Sequence, residues 1–369
     1  MNRNEKNLFN YLCNFINDET KEPSYAKTSF EASPEVLGYL FENRMQSAAY
    51  GVIMNDESLT EIRAKKEFTA ALKKAYDYNI AYNQSFSRCV SYVSEILSGS
   101  PVKYAMLKGA VLHGRYPDGY RTSNDIDILV LPEEVTKIGE IFIKNGFLQG
   151  AVKNGVFKPA TREAIVTSKM MRGETVPYIK EINLPFIKFL EIDINFSLDY
   201  KNGDERKIRE MLRNSVSVKV GDISVKTLCD EDFFLHLCMH LYKEATTLPW
   251  IKMKRDMTLY KYCDIYLLLS NMCKNTIKRI FRRAAFFEAE KICAFAILSS
   301  SYFFKINEYA IELAKNALKN DPDFLHQAFS PSGKKYFTYT QKDIAKRFFY
   351  KDREEHLKEI NYEAAENDR

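Results

Sequence analysis

The sequence predicts an α+β protein in which a mixed sheet is flanked by helical regions at both ends. Three observations carry that expectation. Residues 1 to about 100 show apolar residues at three- and four-residue spacing, the period of a buried helical stripe. Between residues 101 and 229 the period shortens to two, as in "DIDILVL" and "KFLEIDINFSL". From Asp230 onward the helical period returns.

Taken in order, "SPEVLGYLFENRMQSAAYGVIM" opens on Ser33-Pro34-Glu35, a cap followed by a first turn. "LTEIRAKKEFTAALKKAYDYNIAYNQSFSRCVSYVSEIL" reads as one long helix or two, and "SGSP" breaks it. "YAML" and "DIDILVL" read as strands, with "EEVTKIGEIFIKNGF" a helix after them. "EAIVTSKMM", "TVPYIKEI" and "KFLEIDINFSL" read as further strands, and "SVKVGDISVKTL" as a hairpin. "DEDFFLHLCMHLYKEA", "RDMTLYKYCDIYLLLSNM", "TIKRIFRRAAFFEAEKICAFAILSSSYF" and "INEYAIELAKNALKN" read as helices. The last forty residues look like a charged, partly mobile tail with one helix. These shifts divide the chain into 1–100, 101–229 and 230–369.

The 369 residues include 25 Phe and 23 Tyr, enough for real cores, and the net charge of +5 suits anionic ligands without demanding them. The seven cysteines form no CxxC pair and fall in apolar helical patterns, as expected of reduced core residues in a cytoplasmic protein. The N-terminus shows no apolar leader, and no apolar run reaches membrane-spanning length. No nucleic-acid-binding signature accompanies the basic helix "IKRIFRRAAFF", whose charges fit a solvated face at least as well.

One stretch breaks the pattern. Asp125 and Asp127 lie one residue apart in an apolar, β-branched run, and alternate strand positions share a face. Two carboxylates so close resist ionisation unless a cation sits between them. Mg²⁺ is the natural candidate, being a hard ion that takes oxygen ligands and bridges phosphates; the plain alternative is a strand end where both acids reach water. "FLEIDINFSL" supplies another acid, Asp193, with Glu191 on its face. Three converging carboxylates suit a two-metal site for phosphoryl or nucleotidyl transfer. Upstream, Lys108-Gly109-Ala110 follows a strand and opens a helix, so backbone N–H groups can approach a phosphate there. Arg121 could grip a phosphate with two donors and Ser123 could add a hydrogen bond. His236 and His240 lie four apart on one helix but lack the glutamate of a zinc-protease motif, so packing is the favoured reading. Asp264, inside an apolar helix, either orients an acceptor or pairs with a residue such as His240 to fix packing.

The stretch "LKGAVLHGRYPDGYRTSNDIDILV" resembles the core signature of the uncharacterised nucleotidyltransferase family within the polymerase-β-like superfamily. Its Lys-Gly-Ala, Leu, Tyr-Pro, Arg and Asp-hydrophobic-Asp fall here on Lys108, Gly109, Ala110, Leu112, Tyr116-Pro117, Arg121, Asp125 and Asp127. The family's third acid falls on Asp193. The resemblance is fair over 185–200 and weaker in "LHLCMH" and "KYCDIYLLL". Two departures stand out: Asn195 where members often carry His, and Gly109-Ala110 where the superfamily begins Gly-Ser, which removes a hydroxyl donor to the triphosphate. The resemblance implies a polymerase-β-like nucleotidyltransferase core over 101–229. It also implies Mg²⁺- or Mn²⁺-dependent transfer of an NMP from an NTP, ATP foremost, to a hydroxyl or amine. Asp125, Asp127 and Asp193 would hold metal, and Lys108, Gly109, Arg121 and Ser123 would hold triphosphate. The acceptor stays open between a small molecule, a protein and a tRNA end. The alternative is a catalytically silent nucleotide sensor or partner-binding protein, such as a toxin–antitoxin component.

Overall fold

The computed structural model describes residues 1–15, 29–171, 173–198, 205–331 and 333–360. The chain is a mixed α+β protein with a mixed sheet and helical regions at both ends. It divides into two compact units, Met1–Phe233 and Phe234–Arg369.

The first unit begins with helices α1 (Arg3–Cys13), α2 (Pro34–Glu42), α3 (Gln46–Asn55), α4 (Thr60–Arg63) and α5 (Lys66–Leu97). α1 starts at a capping box, in which the Glu5 N–H donates to Asn2 Oδ1 at 3.0 Å and the Asn2 N–H donates back to the Glu5 carboxylate. At α2 the Ser33 hydroxyl accepts from the Val36 N–H, with Pro34 in the first turn as the sequence suggests. The helical stretch that opens at Ser33 is divided into α2 and α3. The chain leaves α2 at Asn43 and turns through Arg44, whose φ of 55° no helix accommodates. α5 stays unbroken for 32 residues because Lys66 to Leu97 contains neither Gly nor Pro. Phe68, Leu72, Asn79, Tyr82, Phe86, Val90, Val93 and Leu97 lie along its buried side, three, four or seven residues apart.

After α5 come β1 (Tyr104–Met106), α6 (Gly109–Leu112), β2 (Ile126–Val130), α7 (Val135–Lys144), β3 (Leu148–Lys153), β4 (Val156–Pro159), α8 (Arg162–Met171), β5 (Tyr178–Leu184), β6 (Ile187–Asn195), α9 (Glu205–Arg213), β7 (Val216–Val220) and β8 (Ile223–Thr227). The eight strands form one sheet ordered β4-β3-β5-β6-β2-β1-β8-β7. β2 runs parallel to β6, β1 parallel to β8, and the other pairs are antiparallel. All five residues of β2 and all three of β1 are buried, as their apolar runs require. The reading of "EAIVTSKMM" as a strand is corrected. The segment is α8, because a capable helix former outweighs three β-branched residues when no neighbouring strand claims them, and the unforeseen hairpin β3–β4 takes the sheet position.

The second unit holds α10 (Asp230–Thr246, whose first turn belongs to the first unit), α11 (Leu248–Lys252), α12 (Leu259–Ser270), α13 (Lys274–Phe286), α14 (Glu290–Ser300), α15 (Glu308–Ala317) and α16 (Ile344–Phe348). Strands β9 (Gln327–Phe329), β10 (Tyr336–Tyr339) and β11 (Leu357–Ile360) form an antiparallel sheet with β10 central. This corrects the expected mobile tail up to Ile360; residues 361–369 of that expectation lie outside the described ones. Two of the tail's charges are buried. Arg353 donates two bonds to the Asp256 carboxylate, at 2.8 and 2.7 Å, and Arg347 stacks 4.0 Å from the Tyr339 ring centre. His240 faces Glu244 at 3.5 Å, Lys261 pairs with the same glutamate, and Asp264 is buried within α12. The seven cysteines are thiols outside any disulfide. Among the described residues no helix is long and apolar enough to cross a membrane.

The Asp256–Arg353 pair gives a direct test. Asp256→Ala leaves a buried guanidinium uncompensated and should cost about 3–5 kcal/mol in urea unfolding. Replacing both partners by methionine should return most of that loss. Equal losses in the single and double variants would show that the pair's charge is not what matters.

Candidate active site

Register places the acids. In the parallel pair β2–β6, Asp127 lies opposite Asp193, with Ile126 opposite Ile192 and Ile128 opposite Ile194. The isoleucines of both strands are fully buried, so the aspartates share the other face. Asp125 precedes β2 with the same parity as Asp127, and Glu191 the same parity as Asp193.

The electrostatics follow from that crowding. Burial first, then the charges of Asp127, Asp125 and Glu191, push Asp193 up to about 9, against a smaller pull from Lys108. Asp125 is raised by burial and by Asp127, and Glu191 by burial and by Asp125. Lys108 reaches in from the end of β1, its Nζ 2.7 Å from Asp127 Oδ1. Asn195 donates from Nδ2 to the same oxygen at 3.3 Å. The asparagine that departs from the family pattern thus steadies Asp127.

Lys108 occupies a strained position between β1 and α6. Its φ is 42°, in the left-handed region that non-glycine residues avoid at a cost of about 1–3 kcal/mol. The Leu107 N–H donates to Asp127 O at 2.9 Å, so β1 stays registered with β2 up to the turn. α6 spans four residues only, which leaves close backbone approach rather than a long helix dipole as the asset of this turn. Gly109 makes that approach possible. A Cβ there would fall 2.5 Å from Ser123 Oγ and 2.6 Å from Ser123 Cβ. Ser123 is buried and accepts a short hydrogen bond from Arg121 Nη1, and Arg121 is itself buried, 5.9 Å from the Tyr116 ring centre.

The structure therefore gathers the expected residues into two sets: Lys108, Asp127 and Asp193, with Asp125 alongside, and Gly109, Ser123 and Arg121 in one packed cluster. α5 holds the second set in place, a contribution the sequence reading missed. Asn83 donates to Arg121 O at 3.0 Å, and Asn79 donates to Gly119 O at 3.2 Å and Ser47 Oγ at 2.7 Å. His113 lies 3.0 Å through Nδ1 from Gly109 O and 3.2 Å through Nε2 from Ser87 Oγ; burial lowers its pKa. The available signal was two asparagines four residues apart on an otherwise apolar stripe.

Hard oxygen donors that raise one another's protonation fit a divalent cation in kind. Among the described residues no three His, Cys, Asp or Glu side chains close round a single point, and Lys108 takes an oxygen of Asp127.

The Gly109–Ser123 contact is testable by melting. Gly109→Ala should lose about 1–3 kcal/mol by overpacking, and adding Ser123→Gly should restore most of it by removing both clashing atoms. If the second change restores nothing, the glycine serves some other need.

The model for a family described as an uncharacterised nucleotidyltransferase matches residues 35–305. No curated protein matches the chain. Among solved structures, an antigenic nucleotidyltransferase-like protein from Paracoccidioides brasiliensis is similar at 11% identity and a TM-score of 0.32, covering 55% of this chain and 90% of that one. With the family match running from α2 through the acidic strands to the segment after α14, the chain belongs to the uncharacterised nucleotidyltransferase family.

Proposed function

We propose that this nucleotidyltransferase moves an NMP from an NTP to a hydroxyl or amine acceptor with Mg²⁺ or Mn²⁺, at the face shared by β2 and β6. The observation that supports it most is the Asp127–Asp193 pairing across parallel strands, with Asp125 close enough to raise Asp193 further. Asp125, Asp127 and Asp193 would hold the cation, which when bound neutralises triphosphate charge and the charge that develops on the leaving pyrophosphate.

The chain's own groups account for the remaining work. Backbone N–H groups at the Gly109 turn would approach the phosphates, while Ser123 packs where a Cβ of residue 109 would lie. Lys108 exchanges the Asp127 carboxylate for a phosphate oxygen, and Arg121, locked by Ser123 and Asn83, holds a second. The acceptor oxygen or nitrogen attacks the α-phosphorus, the bond to the β-phosphate oxygen breaks, and pyrophosphate leaves with that electron pair. The acceptor proton passes to an Asp193 carboxylate oxygen, ionised in the loaded site. ATP is the first nucleotide to test and a small molecule the first acceptor class.

Asp125→Asn and Asp127→Asn should each abolish transfer of labelled NMP. In EDTA, Asp125→Asn should melt no lower than the parent, since it relieves like-charge crowding at Asp193. Lys108→Ala and Arg121→Ala should raise KM for the NTP about 10²-fold. Parent-like transfer by either aspartate variant would end the assignment of this face.

A further inference from the structure

In the second unit, α10, α12, α14, α16 and strand β10 surround a small buried cavity of about 10 Å³. That is room for one water-sized occupant. Its walls include Thr246, Asp256, Tyr262, Ser299, Tyr339 and Arg347. Three of these carry a buried polar atom with no hydrogen-bond partner: Ser299 Oγ, Tyr339 Oη and Arg347 Nε. Their residues are 1%, 2% and 4% exposed. Each unmet polar atom in such a place opposes folding.

The three atoms share a character. Arg347 Nε can only donate, and the two hydroxyls can each donate. Burial holds the Tyr339 hydroxyl well above its ordinary pKa, so it keeps its proton. The local charge is unbalanced in the same sense. Arg347 and Arg353 are both buried, whereas the carboxylate between them, Asp256, is engaged in two bonds from Arg353. Arg347 has the Tyr339 ring and a 3.5 Å bond from Nη1 to Gln341 O, but no carboxylate in ion-pair reach among the described residues. The cation also depresses a neighbour: burial, then Arg347 and Lys342, bring His326 down to about 4.

From these donors and this charge we infer that the cavity is a binding site for a monoatomic anion, chloride or bromide, held by Arg347 Nε and the hydroxyls of Tyr339 and Ser299. A water molecule could accept from Arg347 Nε and one hydroxyl and donate to the other, but it brings no charge, whereas a halide accepts from all three and compensates the second buried guanidinium. Arg347 and Tyr339 lie beyond residue 305, so the site falls partly outside the family-matched region and does not depend on the proposed chemistry.

The test is thermal melting of the full chain in sodium chloride, sodium bromide and sodium gluconate at equal ionic strength. Chloride and bromide should raise the melting temperature over gluconate by roughly 3 °C or more, saturably. Tyr339→Phe and Ser299→Ala keep the packing and remove one donor each, so the halide gap should shrink by at least half in both. Arg347→Met should remove it; the two hydroxyl variants decide the matter if that protein does not fold. Equal melting in all three salts, or an undiminished halide gap in both hydroxyl variants, would overturn the site and leave a single water in the cavity.

Discussion

The parallel pairing of β2 with β6 is the constraint on which the first unit's chemistry rests. One residue of slip would turn Asp127 and Asp193 into the packed side of the sheet and bring the isoleucines out. Ile126, Ile128, Ile192 and Ile194, all fully buried, fix the register by their own packing. The apolar side of each strand thereby decides where the polar side's carboxylates meet. Their proximity opposes folding, since Asp193 is held up to about 9 largely by burial and by its acidic neighbours. Lys108 offsets part of that crowding through its bond to Asp127.

The cluster of Gly109, Ser123 and Arg121 depends on a different kind of constraint. The chain between α6 and β2 has no regular structure, so its backbone polar groups need outside partners. α5 supplies them: Asn79 and Asn83 bind the carbonyls of Gly119 and Arg121, and Ser87 lies beside His113. Arg121 is thus fixed at both its carbonyl and its guanidinium. The helical N-terminal region is part of the same unit as the sheet, and the family match starts inside it, at residue 35.

Much of this was legible from the sequence because it rests on short-range rules. The two-residue period of "DIDILVL" and "EIDIN" put the acids on one face, and the Lys-Gly step after a strand marked the turn. What escaped has long-range causes. Whether "EAIVTSKMM" becomes helix or strand depends on which segments find sheet partners, and β3–β4 won that place. The partners of Asn83, Asn195 and Ser123 are fixed only once the chain has folded back on itself. The tail misled because charge density suggests solvation, yet Arg353 is neutralised by Asp256, almost a hundred positions earlier in the chain, a pairing no local pattern records.

Buried charge is handled oppositely in the two units. At the sheet, carboxylates are massed with Lys108 bonded to Asp127, and the surplus is negative. Around Asp256 two guanidinium groups are buried with one carboxylate, and the surplus is positive. Neither arrangement is the cheapest way to fill a core, since apolar residues of equal volume avoid the desolvation of every charge involved. The negative surplus lies on the sheet face where Asp125, Asp193 and Lys108 keep partial exposure. The positive surplus is sealed to within a few per cent exposure, around a cavity with room for one small occupant. Accessibility separates the two: an open surplus suits a ligand that turns over with the reaction, and a sealed one suits an ion taken up once and kept as part of the folded protein.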